Sequence, residues 1–183
     1  MNTSFFILIL LLTFSIIASI ASLTLLIHLL FPILAGGGPY VPSSLEEVQI
    51  MIQLAEITDR DHVADLGSGD GRVVIAAAQA GARHCVGYEI YPSLVRTAYK
   101  NIAEHNLGDR VHIKKQSMWD ADLSGISVVF LFQIPYALDR IKKLLEIQLP
   151  PGTRIISNSF KIPGWEPNIT KGTIHLYTIK DAS

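Results

Sequence analysis

The apolar run near the N-terminus is the feature that most constrains what this chain can fold into. Residues 5–31 contain no Asp, Glu, Lys or Arg, and the first such residue of the chain is Glu46. A helix over this run would be about 40 Å long at 1.5 Å per residue, so it can cross a bilayer core of about 30 Å with some tilt. We therefore predict one transmembrane helix, which Pro32 and the AGGGP sequence at 35–39 end in a short flexible hinge. Residues 1–38 then form an anchor segment.

A cleaved signal peptide is the alternative interpretation of this run. Such a peptide begins with a basic n-region and has a short apolar core of about 7–15 residues. The first four residues here are MNTS, without a basic side chain, and the apolar run is much longer than that core. Both differences favour an uncleaved anchor.

The rest of the chain, residues 39–183, has an ordinary soluble composition and is long enough to bury the core of one domain. All formal charges lie here and sum to −1, so we expect no strong attraction to nucleic acid. Cys85 is the only cysteine, which excludes an internal disulfide. We expect a monomer.

Strands and helices alternate along this domain. Serines at 43 and 44 followed by glutamates at 46 and 47 predict a capping box and a helix to about residue 57. The later pattern predicts strands at 63–66, 85–89, 111–114, 126–132 and 154–158, and helices at 72–80, 92–105 and 137–148. Residues 169–179 alternate, which favours antiparallel strands at an edge. The fold predicted is α/β, a doubly wound, mostly parallel sheet with ligands at the carboxyl ends of its strands.

A glycine-rich loop, DLGSGDGR at 65–72, joins the first strand of this sheet to its helix. A phosphate-binding P-loop would end in Gly-Lys-Ser/Thr, and a dinucleotide loop would need its last glycine where Arg72 stands. S-adenosylmethionine carries an ammonium and a sulfonium but no phosphate, which suits the acid Asp65 at the end of the strand. We predict that this cofactor contacts Asp65, Gly67, Ser68, Gly69 and Gly71.

A second acid ends the next strand. Glu89 follows Asp65 by 24 residues, and a carboxylate at that place can accept hydrogen bonds from both hydroxyls of a ribose. After the third strand, Ser117 and Met118 lie in the loop that covers adenine in this fold class, although ordinary packing explains Met118 and Trp119 equally well. The exit of the fourth strand lacks the Asn/Asp-Pro-Pro-Tyr signature of amide and adenine methyltransferases. No metal site is predicted.

With these motifs, the chain resembles the lysine methyltransferases that modify the mitochondrial adenine nucleotide translocase and the ATP synthase c-subunit, and the small archaeal protein lysine methyltransferases. The resemblance extends over residues 39 to about 180. It is carried by the glycine loop, by Gly-Tyr-Glu at 87–89, by Pro-Tyr-Val-Pro at 39–42 and by Phe160 with Gly-Trp-x-Pro at 164–167. It implies a class I methyltransferase of the seven-stranded type. The archaeal relatives have Asn or Asp where this chain has Ser117, a shorter partner for the adenine amino group.

The resemblance implies a protein substrate whose lysine is methylated, and an apolar channel that lowers the pKa of that lysine, so no general base is assigned. Tyr40 either lines this channel or packs the linker against the domain. Phe160 and Trp165 could line it too, but a core position is favoured for both.

Two further functions stay open: methylation of a small lipophilic molecule such as a quinone or lipid headgroup, and cofactor binding without catalysis. Because S-adenosylmethionine is made in the cytoplasm, we expect the domain to face that side of the membrane, or the matrix in a mitochondrion.

Overall fold

A computed structural model describes residues 3–34 and 38–180 of the chain. They fall into two units, divided between Pro39 and Tyr40. The predicted hinge lies mostly at 35–37, outside the described residues.

The first unit contains one long helix, α1 (Thr3–Leu34). Its part Phe5–Ile27 is long and apolar enough to cross a membrane, a test that a signal sequence near the N-terminus would also pass. All side chains of that part are exposed. Helix α1 continues past Pro32 and ends at Leu34, directly before the glycine-rich segment that was predicted to end it together with Pro32. A proline removes one bond of the helical ladder, and at the last turn this loss does not by itself stop the helix.

The second unit is a seven-stranded sheet with helices on both faces. Its strands are β1 (His62–Leu66), β2 (His84–Glu89), β3 (Val111–Lys115), β4 (Val128–Leu131), β5 (Arg154–Asn158), β6 (Ile169–Lys171) and β7 (Ile174–Thr178). The spatial order is β3-β2-β1-β4-β5-β7-β6. The first five strands are parallel, and β7 is antiparallel to both β5 and β6. The predicted fold is confirmed, with an observed β4 shorter than the predicted 126–132.

The helices of this unit are α2 (Leu45–Ala55), α3 (Arg72–Gln79), α4 (Pro92–Glu104) and α5 (Pro135–Gln148). Successive residues of a strand point to opposite faces, and β4 shows this directly. Val128 and Phe130 join an apolar cluster with α2, α3 and α4, whereas Val129 and Leu131 join a second cluster with α5. Both faces are therefore covered, as a central parallel strand requires.

Helix α2 is fixed at both ends. At its start, the predicted capping box forms: the Ser44 hydroxyl accepts from the Glu47 N–H, and the Ser44 N–H donates to the Glu47 carboxylate. At its end, the Arg154 guanidinium donates to the carbonyls of Ala55 and Glu56 and pairs with Asp61. Since Arg154 begins β5, this second contact ties the helix to the amino edge of the sheet.

Candidate functional site

The glycine loop, residues 67–71, leaves the carboxyl end of β1 and enters α3. The Gly67 and Ser68 N–H groups both donate to the Tyr88 carbonyl at 3.0 Å, which holds the loop against β2. Gly69 has φ +54°, and a Cβ there would come within 2.5 Å of the Tyr40 ring. The loop therefore needs glycine at 69 both for its backbone conformation and for the aromatic ring that lies on it.

Glu89 at the end of β2 is joined to this loop. Its Oε2 accepts from the Gly69 N–H at 2.9 Å, and its Oε1 accepts from the Tyr91 N–H at 2.8 Å. The side chain is buried. A carboxylate offers about four acceptor positions, so both oxygens keep capacity for a further donor such as a ribose hydroxyl.

Asp65 is the second buried acid of the site, at the next-to-last residue of β1. Burial, with the negative charges of Glu89 and then Asp70, raises the pKa of Asp65 to about 8. The folded chain thus has acidic groups close together at the ends of β1 and β2. A cationic ligand placed among them would be stabilised, because it would relieve this repulsion.

Ser68 contributes to the site differently from the acids. Its hydroxyl lies against Gly87 on β2, where a Cβ would approach it within 2.4 Å. Among the described residues, the Ser68 Oγ is a buried oxygen without a hydrogen-bond partner. The hydroxyl therefore fills space between β1 and β2, and a cofactor contact from Ser68 would come from its backbone.

Tyr40 lies over the glycine loop, half-exposed, with its hydroxyl beside Asp70 and Arg72. Burial and the Asp70 charge raise the pKa of Tyr40. Although burial opposes it, Arg72 holds the pKa of Asp70 below its usual value through two hydrogen bonds of 2.9 and 2.6 Å to the carboxylate. Asp70 is therefore already paired with a cation.

The loop after β3 forms a short 3₁₀ helix, Met118–Asp120. The Ser117 hydroxyl caps it by accepting from the Trp119 N–H at 3.3 Å. Met118 is buried in the α5-side cluster, and the Arg140 guanidinium lies 4.0 Å from the Trp119 ring centre. Packing thus accounts for much of what these side chains do, and the adenine role predicted for Ser117 and Met118 stays a prediction.

Gln133 lies two residues after the end of β4. Its Nε2 donates to the Leu66 carbonyl at 2.8 Å, and its side chain is buried. A Cβ on Gly67 would lie 2.6 Å from the same nitrogen. Gln133 therefore packs against the start of the glycine loop and places a neutral amide between β1 and β4.

Phe160 and Trp165, both predicted to lie in the core, have different surroundings. Trp165 packs against Tyr177, with ring centres 5.9 Å apart, and belongs to the α5-side cluster. Phe160 is 37% exposed, so the core prediction is wrong for it. It lies two residues after the end of β5.

These residues fit S-adenosylmethionine. Its ammonium could pair with the Asp65 carboxylate, whose pKa is raised by burial and by neighbouring acids. Its ribose hydroxyls could donate to Glu89, and the glycine loop would let the cofactor come close to the backbone. Among the described residues, no group of His, Cys, Asp and Glu is arranged to hold a metal.

Comparisons with known proteins agree with this geometry. Residues 65–169 match the model of the ANTKMT methyltransferase domain. The chain is 36% identical over 150 residues to a protein-lysine N-methyltransferase of Saccharolobus islandicus, covering 77% of this chain and 93% of the relative. It is 35% identical to the adenine nucleotide translocase lysine N-methyltransferase of Mus musculus, covering 70% of this chain and 56% of that protein. The chain thus spans little more than half of the mouse relative.

Among solved structures, the chain is similar to an RNA methyltransferase from Salinibacter ruber in complex with S-adenosyl-L-homocysteine. The TM-score is 0.76 at 36% identity, covering 78% of this chain and 96% of the other. S-adenosyl-L-homocysteine is the product that S-adenosylmethionine leaves after giving up its methyl group.

Proposed function

This chain belongs to the ANTKMT methyltransferase family, and on that premise we propose that it methylates lysine side chains of a membrane-associated protein. It is an S-adenosylmethionine-dependent methyltransferase. The observation that carries the proposal is the pair of buried acids, Asp65 and Glu89, on either side of a glycine loop. The names of the archaeal and mouse relatives support lysine as the acceptor.

We assign cofactor contacts to the residues predicted from the sequence. Asp65 faces the ammonium and Glu89 the ribose, while the loop backbone at Gly67, Ser68, Gly69 and Gly71 allows close approach. Ser117 and Met118 lie beside the adenine. Tyr40, on the glycine loop, lines the approach of the substrate.

The chemistry asks little of the protein beyond alignment. When bound, the cofactor supplies an electrophilic methyl on its sulfonium. The lysine amine must arrive without its extra proton and in line with the sulfur–carbon bond. The half-buried apolar side chains of Phe132 and Ile134 at the β4 exit suit an uncharged amine, since an apolar surrounding disfavours an ammonium. The domain therefore acts by orienting the two reactants and excluding water.

Helix α1 is proposed as a membrane anchor. Its apolar part, Phe5–Ile27, would be about 35 Å long. The side chains of this part are all exposed, so in water their apolar surface would face the solvent. We propose that residues 39–183 face the compartment that supplies the cofactor, the cytoplasm or the mitochondrial matrix. Protease added to intact cells should spare residues 40–183, and rapid digestion there would refute this orientation.

The deciding experiment incubates the full chain with methyl-labelled S-adenosylmethionine and membranes of its source. We expect label in a protein, mapped by mass spectrometry to a lysine. Label extracted with lipid would support a quinone or lipid headgroup instead. No transfer to any fraction, with cofactor binding intact, would favour a cofactor-binding protein without catalysis.

RNA methylation is a second candidate, because the Salinibacter ruber structure carries that name. The net charge of −1 disfavours it, since binding to nucleic acid relies on neutralising phosphates with basic side chains. The same incubation, with total RNA as a separate acceptor, distinguishes the two. Label resistant to ribonuclease supports protein, and label removed by it supports RNA.

A further inference from the structure

Residues 40–44, which we name the strap, cross from the glycine loop to the start of α2. Tyr40 lies on Gly69 at one end of the strap, and Ser44 caps α2 at the other. Ser43, between them, is buried although it is polar. Its carbonyl and its hydroxyl are held by two different parts of the domain.

The first contact comes from the segment after β1. Arg72, the first residue of α3, donates from Nη1 to the Ser43 carbonyl at 2.6 Å. Its other guanidinium nitrogens hold the Asp70 carboxylate. The Asp70 carbonyl in turn accepts from the Asn101 side chain of α4 at 2.9 Å. One planar guanidinium thus links the glycine loop to the strap, in a geometry that a single ammonium cannot reproduce.

The second contact comes from the end of β5. Asn158, fully buried, donates from Nδ2 to the Ser43 hydroxyl at 3.0 Å. The Ser159 hydroxyl donates to Asn158 Oδ1 at 3.1 Å, which orients the amide. A buried amide without such partners would be costly, so this arrangement defines one position for the strap.

These two contacts come from segments that follow different strands. Arg72 follows β1 by way of the glycine loop, and Asn158 ends β5, with β4 between these two strands in the sheet. Gln133, which follows β4, packs against Gly67, and Tyr40 packs against Gly69. The strap and Gln133 therefore both lie against the glycine loop.

We propose that Arg72 and Asn158 are positioning residues for methyl transfer: by holding Ser43 from the start of α3 and from the end of β5, they fix Tyr40 as one wall of the channel for the acceptor amine. This inference rests on the proposed function. Neither residue touches the reacting atoms in this arrangement. A looser strap would let the amine move out of line with the sulfur–carbon bond, and the rate of methyl transfer would fall.

The test compares Arg72→Lys with Arg154→Lys in the full chain. Arg154 is a matched control, because it also donates to backbone carbonyls at an end of α2 and pairs with an aspartate, but at the amino edge of the sheet. We expect R72K to lower kcat roughly tenfold or more, with the Kd of S-adenosylmethionine changed by less than about threefold. R154K should lower the melting temperature and leave kcat near the wild-type value.

A double-mutant cycle tests the second contact. Ser43→Ala removes the hydroxyl but keeps the carbonyl that Arg72 holds, and Asn158→Ala removes the amide. If their hydrogen bond positions the strap, each variant should lower kcat, and the double variant should be little worse than either. Fully additive losses would overturn the role of Asn158.

Hydrogen exchange separates failure of this inference from failure of the proposed function. R72K should speed amide exchange within residues 40–44, and R154K should not. Equal exchange there in both variants, equal losses of kcat, or a Kd that rises in parallel with the loss of kcat would overturn the positioning role. If the wild type labels no lysine, the proposed function fails by itself, and exchange still decides whether Arg72 holds the strap.

Discussion

At the scale of residues, the site is defined by how two carboxylates differ. Glu89 accepts from two backbone N–H groups, whereas Asp65 is buried near other acids, with its pKa raised to about 8. Single substitutions can test both acids without removing the core, because each acid lies at the end of a strand whose apolar residues build that core.

Replacing either acid should weaken cofactor binding. In Asp65→Ala or Glu89→Ala, we expect the Kd of S-adenosylmethionine to rise by more than roughly tenfold, about 1.4 kcal/mol, because a charge-assisted contact is lost. Calorimetry gives the Kd, and circular dichroism checks that the fold is kept. Unchanged affinity in both variants would rule out the assignment.

Cofactor binding should also depend on pH through Asp65. Below its pKa of about 8 the free protein holds a proton that a cationic ligand displaces, so the affinity should rise about tenfold from pH 6 to pH 7. The ammonium of the cofactor keeps its proton over that range. Asp65→Asn is the control and should give a flat profile. A wild-type profile equally flat would contradict the coupling.

The same group makes the ligand-free fold less stable as pH rises. In the folded chain, the pKa of Asp65 lies well above its ordinary value of 3.8. Between about pH 4 and pH 8, Asp65 is therefore protonated in the folded chain and ionised in the unfolded chain. Unfolding becomes easier across that window. Asp65→Asn should remove this part of the decline in denaturant titrations at several pH values, and an unchanged slope would argue against it.

At the scale of elements, α2 is the part that joins the sheet to the strap. Its ends are fixed by the Ser44–Glu47 capping box and by Arg154 with Asp61. The helix packs on β5 and α3 through Val48 and Met51, so its position is set independently of the cofactor.

Removing the cap should therefore cost stability. Ser44→Ala leaves the Glu47 N–H without its side-chain acceptor, and we expect a loss of about 1 kcal/mol in the free energy of unfolding. Glu47→Gln is the control, because glutamine also completes a capping box. Urea titration measures both. An unchanged free energy of unfolding in Ser44→Ala would contradict a stabilising role of the cap.

At the scale of the whole molecule, the second unit has its own core, with one apolar cluster on each face of the sheet. Val48 belongs to one cluster and Tyr177 to the other. Helix α1 adds a second property, an apolar surface of membrane-spanning length. The two properties are separable by truncation.

A shortened chain starting near Pro39 should fold and bind the cofactor normally. It should methylate a soluble peptide bearing the target lysine about as fast as the full chain, and act much more slowly on native membranes at equal dose. The reason is concentration, since confinement of enzyme and substrate to one surface raises their encounter rate. Equal activity on membranes would remove the support for a membrane-embedded substrate. Lost cofactor binding would show that the strap depends on the helix.

The sequence by itself determined the order and type of the elements, because each has a strong local signal. The apolar run, the capping box at Ser44, the glycine loop and the alternation of strands and helices are all patterns within a few residues. The acids Asp65 and Glu89 could be found for the same reason, since parallel strands bring their carboxyl ends to one edge. Element ends were less certain, as Pro32 and the short β4 show.

Only the tertiary structure decided how the site is closed. Ser43 looked like one half of a capping signal, yet it is buried between Arg72 and Asn158, residues 29 and 115 positions away in the chain. Gln133 packs against Leu66 across 67 positions, and Phe160, two residues after β5, is exposed. Contacts at such separations leave no periodic pattern, because they depend on which strands become neighbours. The order β1-β4-β5 brought them together.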